Sequence, residues 1–260
     1  MGPYGQGMNE AVDPEATARR VAAELAKRGA RAVALVGSRA TGTADADSDL
    51  DLAVVGDGPH YRLEEQDGLL VSLGWASPEE QRRRLYDPGY LATHVPGWRA
   101  AVLLHDPEGL AGAIQREALG WSWSEVEAAC DGWVAEQLTG YAEEVVKLRR
   151  SLRTGDRITA AIQRSVLAIR LAPVMAIHRR LLYGTENVLW DLVAKESGEP
   201  WADAQRAALN ASGESFEASC TAALELFALA AEELRPVLDE RQRAVVSHAA
   251  RPDAIEPSRQ

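Results

Sequence analysis

The chain has 260 residues, and its 28 Lys and Arg against 39 Asp and Glu give a formal net charge of −11. This acidic balance argues against a protein that binds duplex nucleic acid, because such proteins need a dense surface of Lys and Arg. It suits a cationic small molecule as partner. Cys130 and Cys220 lie far apart, outside any metal-ligand or redox spacing, which predicts reduced buried thiols rather than a disulfide framework.

The sequence predicts a cytoplasmic protein that has no membrane-spanning segment. The most apolar stretch, residues 165–178, is interrupted by Arg170 and Pro173, whereas a membrane span needs about 18 or more apolar residues. Residues 1–13 lack the apolar core of a signal peptide. We expect them to be a disordered lead-in.

Helices and strands are predicted to alternate in the first half of the chain. A helix is expected from Pro14, with Asp13 as its cap. Another helix is expected to begin at Pro78. Short apolar runs predict strands at residues 32–36, 50–55, 69–75 and 101–104. This alternation is typical of an α/β domain, which we place at residues 14–115.

The second half of the chain shows helical patterns and no strand signal. These patterns cover residues 124–152, 158–182, 186–195, 201–209 and 214–238. Between the first two, Gly155 and Asp156 predict a turn followed by a helix cap. We therefore expect an all-α helical bundle domain at residues 116–248 and a disordered polar tail at residues 249–260.

One segment of the α/β domain, residues 32–55, carries a pattern with chemical content. A strand ends before Gly37 and Ser38, a turn whose backbone N–H groups and hydroxyl can bind phosphate oxygens. Arg39 adds a positive charge. Asp49 and Asp51 lie two residues apart at the start of the next strand, so their carboxylates point to the same face. Paired carboxylates completed by nucleotide phosphates are typical of a Mg²⁺ site.

This segment resembles the signature of nucleotidyltransferases of the DNA polymerase β superfamily, in which Gly-Ser is followed, after a loop, by Asp-x-Asp. The matching positions are Gly37, Ser38, Gly42, Ser48, Asp49 and Asp51. The resemblance implies a catalytic domain with a mixed sheet, two Mg²⁺ ions at Asp49 and Asp51, and an NTP donor, with ATP favoured. The residues expected on the nucleotide side are Gly37, Ser38, Arg39 and Ser48.

A second resemblance concerns the helical half. Residues 176–193 are similar to the helical domain of kanamycin nucleotidyltransferase-type enzymes, in which a His/Arg-bearing helix, a Tyr and a Thr turn lead into the next helix. This similarity implies transfer of a nucleoside monophosphate to a hydroxyl of a small cationic acceptor, such as an aminoglycoside, and hence a role in antibiotic resistance. Enzymes of this type commonly form dimers with the site at a shared cleft, so a homodimer is compatible with it.

The sequence departs from these families at the third metal carboxylate. Alignment of the next strand places Ser72 where the family has an acid. Asp67 lies five residues earlier, an odd offset that would direct its side chain to the opposite face of a regular strand. It could contribute only from the preceding turn.

A second departure concerns the general base, which kanamycin-type enzymes carry as a Glu on the first long helix of the second domain. Gly140 occupies that position here. Glu136 and Glu144 lie one turn on either side, on the same helical face, and Glu143 is close by. One of them is expected to take the acceptor proton. Lys147 begins a run of basic residues on the same helix and is the one nearest to these glutamates, so it is expected to neutralise charge on the triphosphate.

These departures leave two alternatives to a small-molecule transferase. Because Ser72 and Gly140 replace two expected acids, the chain could be a catalytically degenerate relative that binds nucleotide in a regulatory role. The other alternative is an antitoxin-like nucleotidyltransferase, or one that modifies protein or RNA, whose acceptor hydroxyl belongs to a macromolecule.

Overall fold

A computed structural model describes residues 13–251 of the chain. The chain forms two compact units. Of the described residues, the first comprises residues 13–86 together with Thr93–Trp121, and the second comprises Asp87–Ala92 and residues 122–251. The predicted lead-in and tail lie outside the described residues, except for Asp13 and residues 249–251.

A five-stranded sheet forms the first unit, together with helices. The strands are β1 Ala32–Val36, β2 Leu50–Val55, β3 Tyr61–Gln66, β4 Leu69–Ala76 and β5 Val102–His105. The helices of this half of the chain are α1 Pro14–Lys27, α2 Gly37–Thr41, α3 Pro78–Tyr86, α4 Leu91–Arg99 and α5 Leu110–Gly120.

The sheet is mixed, with the strand order β3-β4-β2-β1-β5. Strands β2 and β4 are parallel, while β1 pairs with β2 and β5, and β3 pairs with β4, in antiparallel fashion. The expected fold class, an α/β domain with a mixed sheet followed by a helical domain, is confirmed.

One face of this sheet is closed by α1. The helix begins as predicted, because Asp13 accepts a hydrogen bond from the backbone N–H of Glu15 at 3.0 Å and Pro14 occupies the first turn. Its apolar stripe packs with buried sheet residues that define the closed face: Val33, Leu35, Leu50, Leu52, Val54, Val71, Leu73 and Trp75. This face is the hydrophobic core of the unit.

The other face is exposed in its central part. Along β2 and β4, the core residues alternate with Asp51, Ala53, Ser72 and Gly74, which are only partly buried. This alternation follows from the period of two in a strand. We call the side of the sheet that carries these four residues the open face.

The second unit contains the remaining helices of the described chain. They are α6 Glu127–Thr154, α7 Arg157–His178, α8 Leu189–Ser197, α9 Glu199–Ala208, α10 Phe216–Glu233 and α11 Glu240–Ala250. As predicted, Gly155 ends α6 in a left-handed conformation with φ +72° and Asp156 caps α7 by accepting from the N–H of Thr159. Cys130 and Cys220 are buried and unpaired, as expected.

Helix α7 runs through Pro173, in agreement with the helical pattern predicted over residues 158–182. Among the described helices, α7 alone is long and apolar enough to cross a membrane by length and composition. Half of that apolar window is buried inside the protein. Burial of this kind is typical of a core helix, since the same apolar residues pack against neighbouring helices.

Four elements of the structure were not predicted from the sequence. Strand β3 is an edge strand with the sequence YRLEEQ, which has little apolar alternation because most of its side chains are exposed. Helix α4 contains Pro96 and Gly97, both poor helix formers. Helix α5 lies across the predicted domain boundary at residue 115, and helix α11 begins just after residue 238, where the last predicted helix ends.

Candidate active site

The site is centred on Gly37, the residue at which β1 passes into the short helix α2. Gly37 has φ +71°, a conformation that residues with a side chain rarely adopt. A Cβ atom added here would lie 2.2 Å from Oδ2 of Asp51. Glycine therefore allows the Asp51 carboxylate to lie directly against the backbone of the turn.

Asp49 and Asp51 converge, as predicted. Asp49 immediately precedes β2 and Asp51 is its second residue. Burial and, to a smaller extent, the negative charge of Asp49 raise the pKa of Asp51 to about 6, although a hydrogen bond from the Ser72 side chain opposes the shift. The two carboxylates are thus close enough to repel each other.

The residues around this pair are suited to a divalent cation. Neither Asp49 nor Asp51 forms an ion pair with another of residues 13–251. Carboxylate and hydroxyl oxygens are hard ligands of the kind Mg²⁺ prefers, with the remaining positions taken by water or phosphate. The donor set fits Mg²⁺ bound together with a nucleotide.

Ser72 lies at the position where the sequence alignment placed it. In the parallel pair of β2 and β4, Ser72 is the register partner of Asp51, and its side chain is hydrogen-bonded to that carboxylate. Among the described residues, no group of three or more His, Cys, Asp and Glu could hold a metal ion. The third acid of the family pattern is therefore replaced by a hydroxyl in contact with the second.

Asp67 does not take the place of that acid. It lies in the turn between β3 and β4 with φ +54°. Its Oδ2 accepts hydrogen bonds from Thr17 Oγ1 at 2.9 Å and from Arg20 Nη2 at 2.6 Å. Both partners belong to α1, which packs on the closed face, so Asp67 is held on the side opposite to Asp51, as its odd offset predicted.

Arg39 and Ser48 fix the loop that leads to Asp49. The Arg39 guanidinium donates from Nε to the carbonyl oxygen of Asp49 at 3.0 Å and from Nη2 to the carbonyl oxygen of Ser48. The Ser48 hydroxyl donates to Asp45 at 2.8 Å and accepts from its backbone N–H at 2.9 Å. Both residues thus position the loop, and their contact with a nucleotide stays a prediction.

The predicted base residues lie on α6 in the second unit. Glu136 and Gly140 are exposed, and a Cβ atom at Gly140 would meet nothing within 4 Å. Lys147 Nζ is 3.0 Å from Glu143 and 3.3 Å from Glu144, and these hydrogen bonds raise the pKa of Lys147. Lys147 therefore pairs with two of the residues predicted as base, and the role of each stays a prediction.

Sequence reasoning missed the outer part of the open face. In the antiparallel pair of β3 and β4, Leu63 is the register partner of Ser72 and Tyr61 that of Gly74. The signal that could have revealed β3 is the Asp67-Gly68 dipeptide. Both residues have positive φ, as in a two-residue hairpin turn of type I′.

Comparison with known proteins agrees with this geometry. Residues 18–116 match the model of the nucleotidyltransferase domain family. The fold is similar to the crystal structure of a nucleotidyltransferase-like protein from Exiguobacterium sibiricum 255-15, with a TM-score of 0.50 and 13% identity over 85% of this chain and 74% of that chain. No curated protein matches the sequence. Residues 18–116 are therefore a nucleotidyltransferase domain of the DNA polymerase β superfamily type.

Proposed function

We propose that this protein transfers a nucleoside monophosphate from an NTP, with ATP favoured, to a hydroxyl of a small acceptor in a Mg²⁺-dependent reaction. The observation that carries the proposal is the contact of the Asp51 carboxylate with the glycine turn, with Asp49 beside it. In this arrangement the turn that is predicted to bind phosphate lies against the carboxylate pair.

We assign the following roles to residues of the site. Asp49 and Asp51 would hold the divalent cation, and with a pKa of about 6 Asp51 is ionised at neutral pH. Bound Mg²⁺ neutralises charge on the phosphates. The turn at Gly37 and Ser38 would hold the triphosphate, while Arg39 keeps Asp49 in position through the loop backbone.

The proton of the acceptor hydroxyl requires a base, and we propose one of Glu136, Glu143 and Glu144. Lys147 would contribute positive charge toward the triphosphate. Replacing each glutamate singly by Gln identifies the base as the one whose loss lowers kcat by about 100-fold or more. If all three variants keep the full rate, the base is not among them.

For the acceptor, we propose a cationic, aminoglycoside-like antibiotic, so that transfer would confer antibiotic resistance. Support comes from the net charge of −11, which favours association with a cation. We further propose that the protein acts in the cytoplasm and as a homodimer. Both follow from the kind of enzyme proposed.

The test is a screen of the four common NTPs with Mg²⁺ against kanamycin and other hydroxylated cationic compounds. The readouts are pyrophosphate release and the mass gain of the acceptor. We expect Asp49→Ala and Asp51→Ala to abolish both, whereas Asp203→Ala, which removes an exposed carboxylate paired with Arg206, should leave them unchanged. Pyrophosphate release that persists in the first two variants would overturn the metal assignment.

A second candidate is a nucleotide-binding relative without turnover, favoured by Ser72 in contact with Asp51 where a third acid is expected. A cation held by two carboxylates rather than three is bound more weakly. Calorimetry with Mg·ATP separates the two candidates. Tight binding with no product across the acceptor panel, together with turnover gained by Ser72→Asp, would favour the second.

A further inference from the structure

Three apolar side chains are exposed on β3 and β4, the two strands that follow β2 toward one edge of the sheet. Tyr61 and Leu63 on β3 and Leu70 on β4 are 59%, 50% and 53% exposed. We call these three residues the apolar ledge. Large apolar side chains that are exposed singly are ordinary, but a cluster of them indicates a binding surface.

The sheet register places the ledge on the open face. Leu63 pairs with Ser72, and Ser72 pairs with Asp51. Directly opposed residues of neighbouring strands point to the same side, and strands lie about 4.8 Å apart. The ledge therefore begins one strand beyond Ser72 and two strands beyond Asp51.

Gly74 leaves a gap in the floor of this surface. It is the register partner of Tyr61, and glycine weakens a strand interior unless something approaches closely. A Cβ atom at Gly74 would meet only the carbonyl oxygen of Leu52, at 4.0 Å. No close neighbour within the described protein thus requires glycine here, and the space above Gly74 is available to a ligand.

The position of the ledge relative to the phosphate turn identifies the occupant. Gly37 follows β1, so the predicted triphosphate lies on the β1 side of Asp51, whereas β4 and β3 lie on the other side. Nucleotidyl transfer is an in-line displacement, in which the attacking oxygen enters opposite the leaving pyrophosphate. If the pyrophosphate leaves toward β1, the acceptor hydroxyl enters from the β4 side of Asp51, where the ledge lies.

We propose that the apolar ledge binds the acceptor, and that the acceptor carries an aromatic or aliphatic group beside its hydroxyl. This inference rests on the proposed function and narrows the proposed acceptor to a hydroxylated cation that also carries an apolar group. Uncharged glucosides serve as probes below because they isolate the contribution of that apolar group. The acceptor oxygen forms a bond to the α-phosphorus, the bond from that phosphorus to the bridging oxygen breaks, and pyrophosphate leaves. The hydroxyl proton passes to a base.

The experiment compares acceptors that share their hydroxyls and differ only in the apolar group. Phenyl and hexyl β-glucoside are titrated against methyl β-glucoside by ligand-observed NMR, with and without Mg²⁺ and a nonhydrolysable ATP analogue. Burial of the added group predicts roughly tenfold tighter binding of the first two. Tyr61→Ser and Leu63→Ser should remove this preference. Gly74→Val should also remove it, because the valine side chain fills the gap that the apolar group would occupy.

Leu119→Ser is the matched control, because Leu119 is 61% exposed on α5, outside the ledge. It should keep the preference. Equal affinities for all three glucosides, or a preference that survives in the ledge variants, would overturn the ledge assignment. Calorimetry with Mg·ATP tests the proposed function separately. A wild-type protein that does not bind Mg·ATP would contradict that function, whatever the ledge variants show.

Discussion

Along β2, Leu50, Leu52 and Val54 are buried against α1, while Asp51 and Ala53 between them are only partly buried on the opposite side. The closed face is filled by the protein itself. The open face combines two carboxylates that form no ion pair among the described residues, a glycine and exposed apolar side chains. The same strands thus carry core residues on one face and candidate site residues on the other. Substitutions on the closed face should therefore mainly lower stability, and substitutions on the open face should mainly lower activity.

The largest expected effect on stability comes from the closed face. Leu52→Ala should lower the free energy of unfolding by about 2–5 kcal/mol, because it leaves a cavity in the core. Gly74→Ala, on the open face of the neighbouring strand, should change it by less than about 0.5 kcal/mol. Urea denaturation measures both values. Equal losses would show that the open face is also packed.

A smaller effect on stability is expected at the two glycines at the ends of α2, and at one of them it should be accompanied by a loss of activity. Gly37→Ala and Gly42→Ala each place a side chain at a φ near +70°, which costs roughly 1–2 kcal/mol. Only Gly37→Ala also displaces the Asp51 carboxylate, since nothing lies within 4 Å of a Cβ atom at Gly42. Thermal unfolding should show losses in both variants, and pyrophosphate release should be abolished only in Gly37→Ala.

The third expectation concerns pH. Asp51 has a pKa of about 6 against an ordinary value of 3.8, so between these values the folded state binds more protons than the unfolded state. Its contribution to stability therefore falls as pH rises through this window. Asp51→Asn should remove that part of the pH dependence of Tm, measured in EDTA. Superimposable profiles of wild type and variant would contradict the shift.

The smallest effects on stability and activity are expected at Asp67, which lies on the side of the sheet opposite to Asp51. Asp67→Asn weakens an exposed ion pair with Arg20, so the loss of stability should be no more than about 1 kcal/mol, and Asn tolerates the positive φ. The rate of nucleotidyl transfer should not change. A drop of 100-fold or more would mean that Asp67 acts as the third metal carboxylate after all.

Much of the site could be predicted because its residues are close in sequence. The strand period alone brings Asp49 and Asp51 together, and the capping rules located Asp13, Gly155 and Asp156 correctly. These features depend on interactions within a few residues, which a single sequence displays directly.

The remaining features depend on partners distant in the sequence. The hydrogen bond from Ser72 to Asp51 arises from the parallel pairing of β2 with β4, and the clamp by Arg39 on the loop backbone is not visible in composition. The apolar ledge was missed because Tyr61 and Leu63 lie on an edge strand whose exposure removes the apolar alternation. Register across the sheet, rather than spacing along the chain, decides these contacts.

The hydrogen bonds from Arg39 to the carbonyl oxygens of Ser48 and Asp49 have a consequence for engineering. They join the start and the end of the loop at residues 42–49 independently of the residues between. Because the entropy cost of closing a loop grows only slowly with its length, a few residues inserted after Thr43 should leave the carboxylate pair in place. The loop is therefore a suitable point at which to attach a reporter peptide close to the carboxylate pair without redesigning the domain.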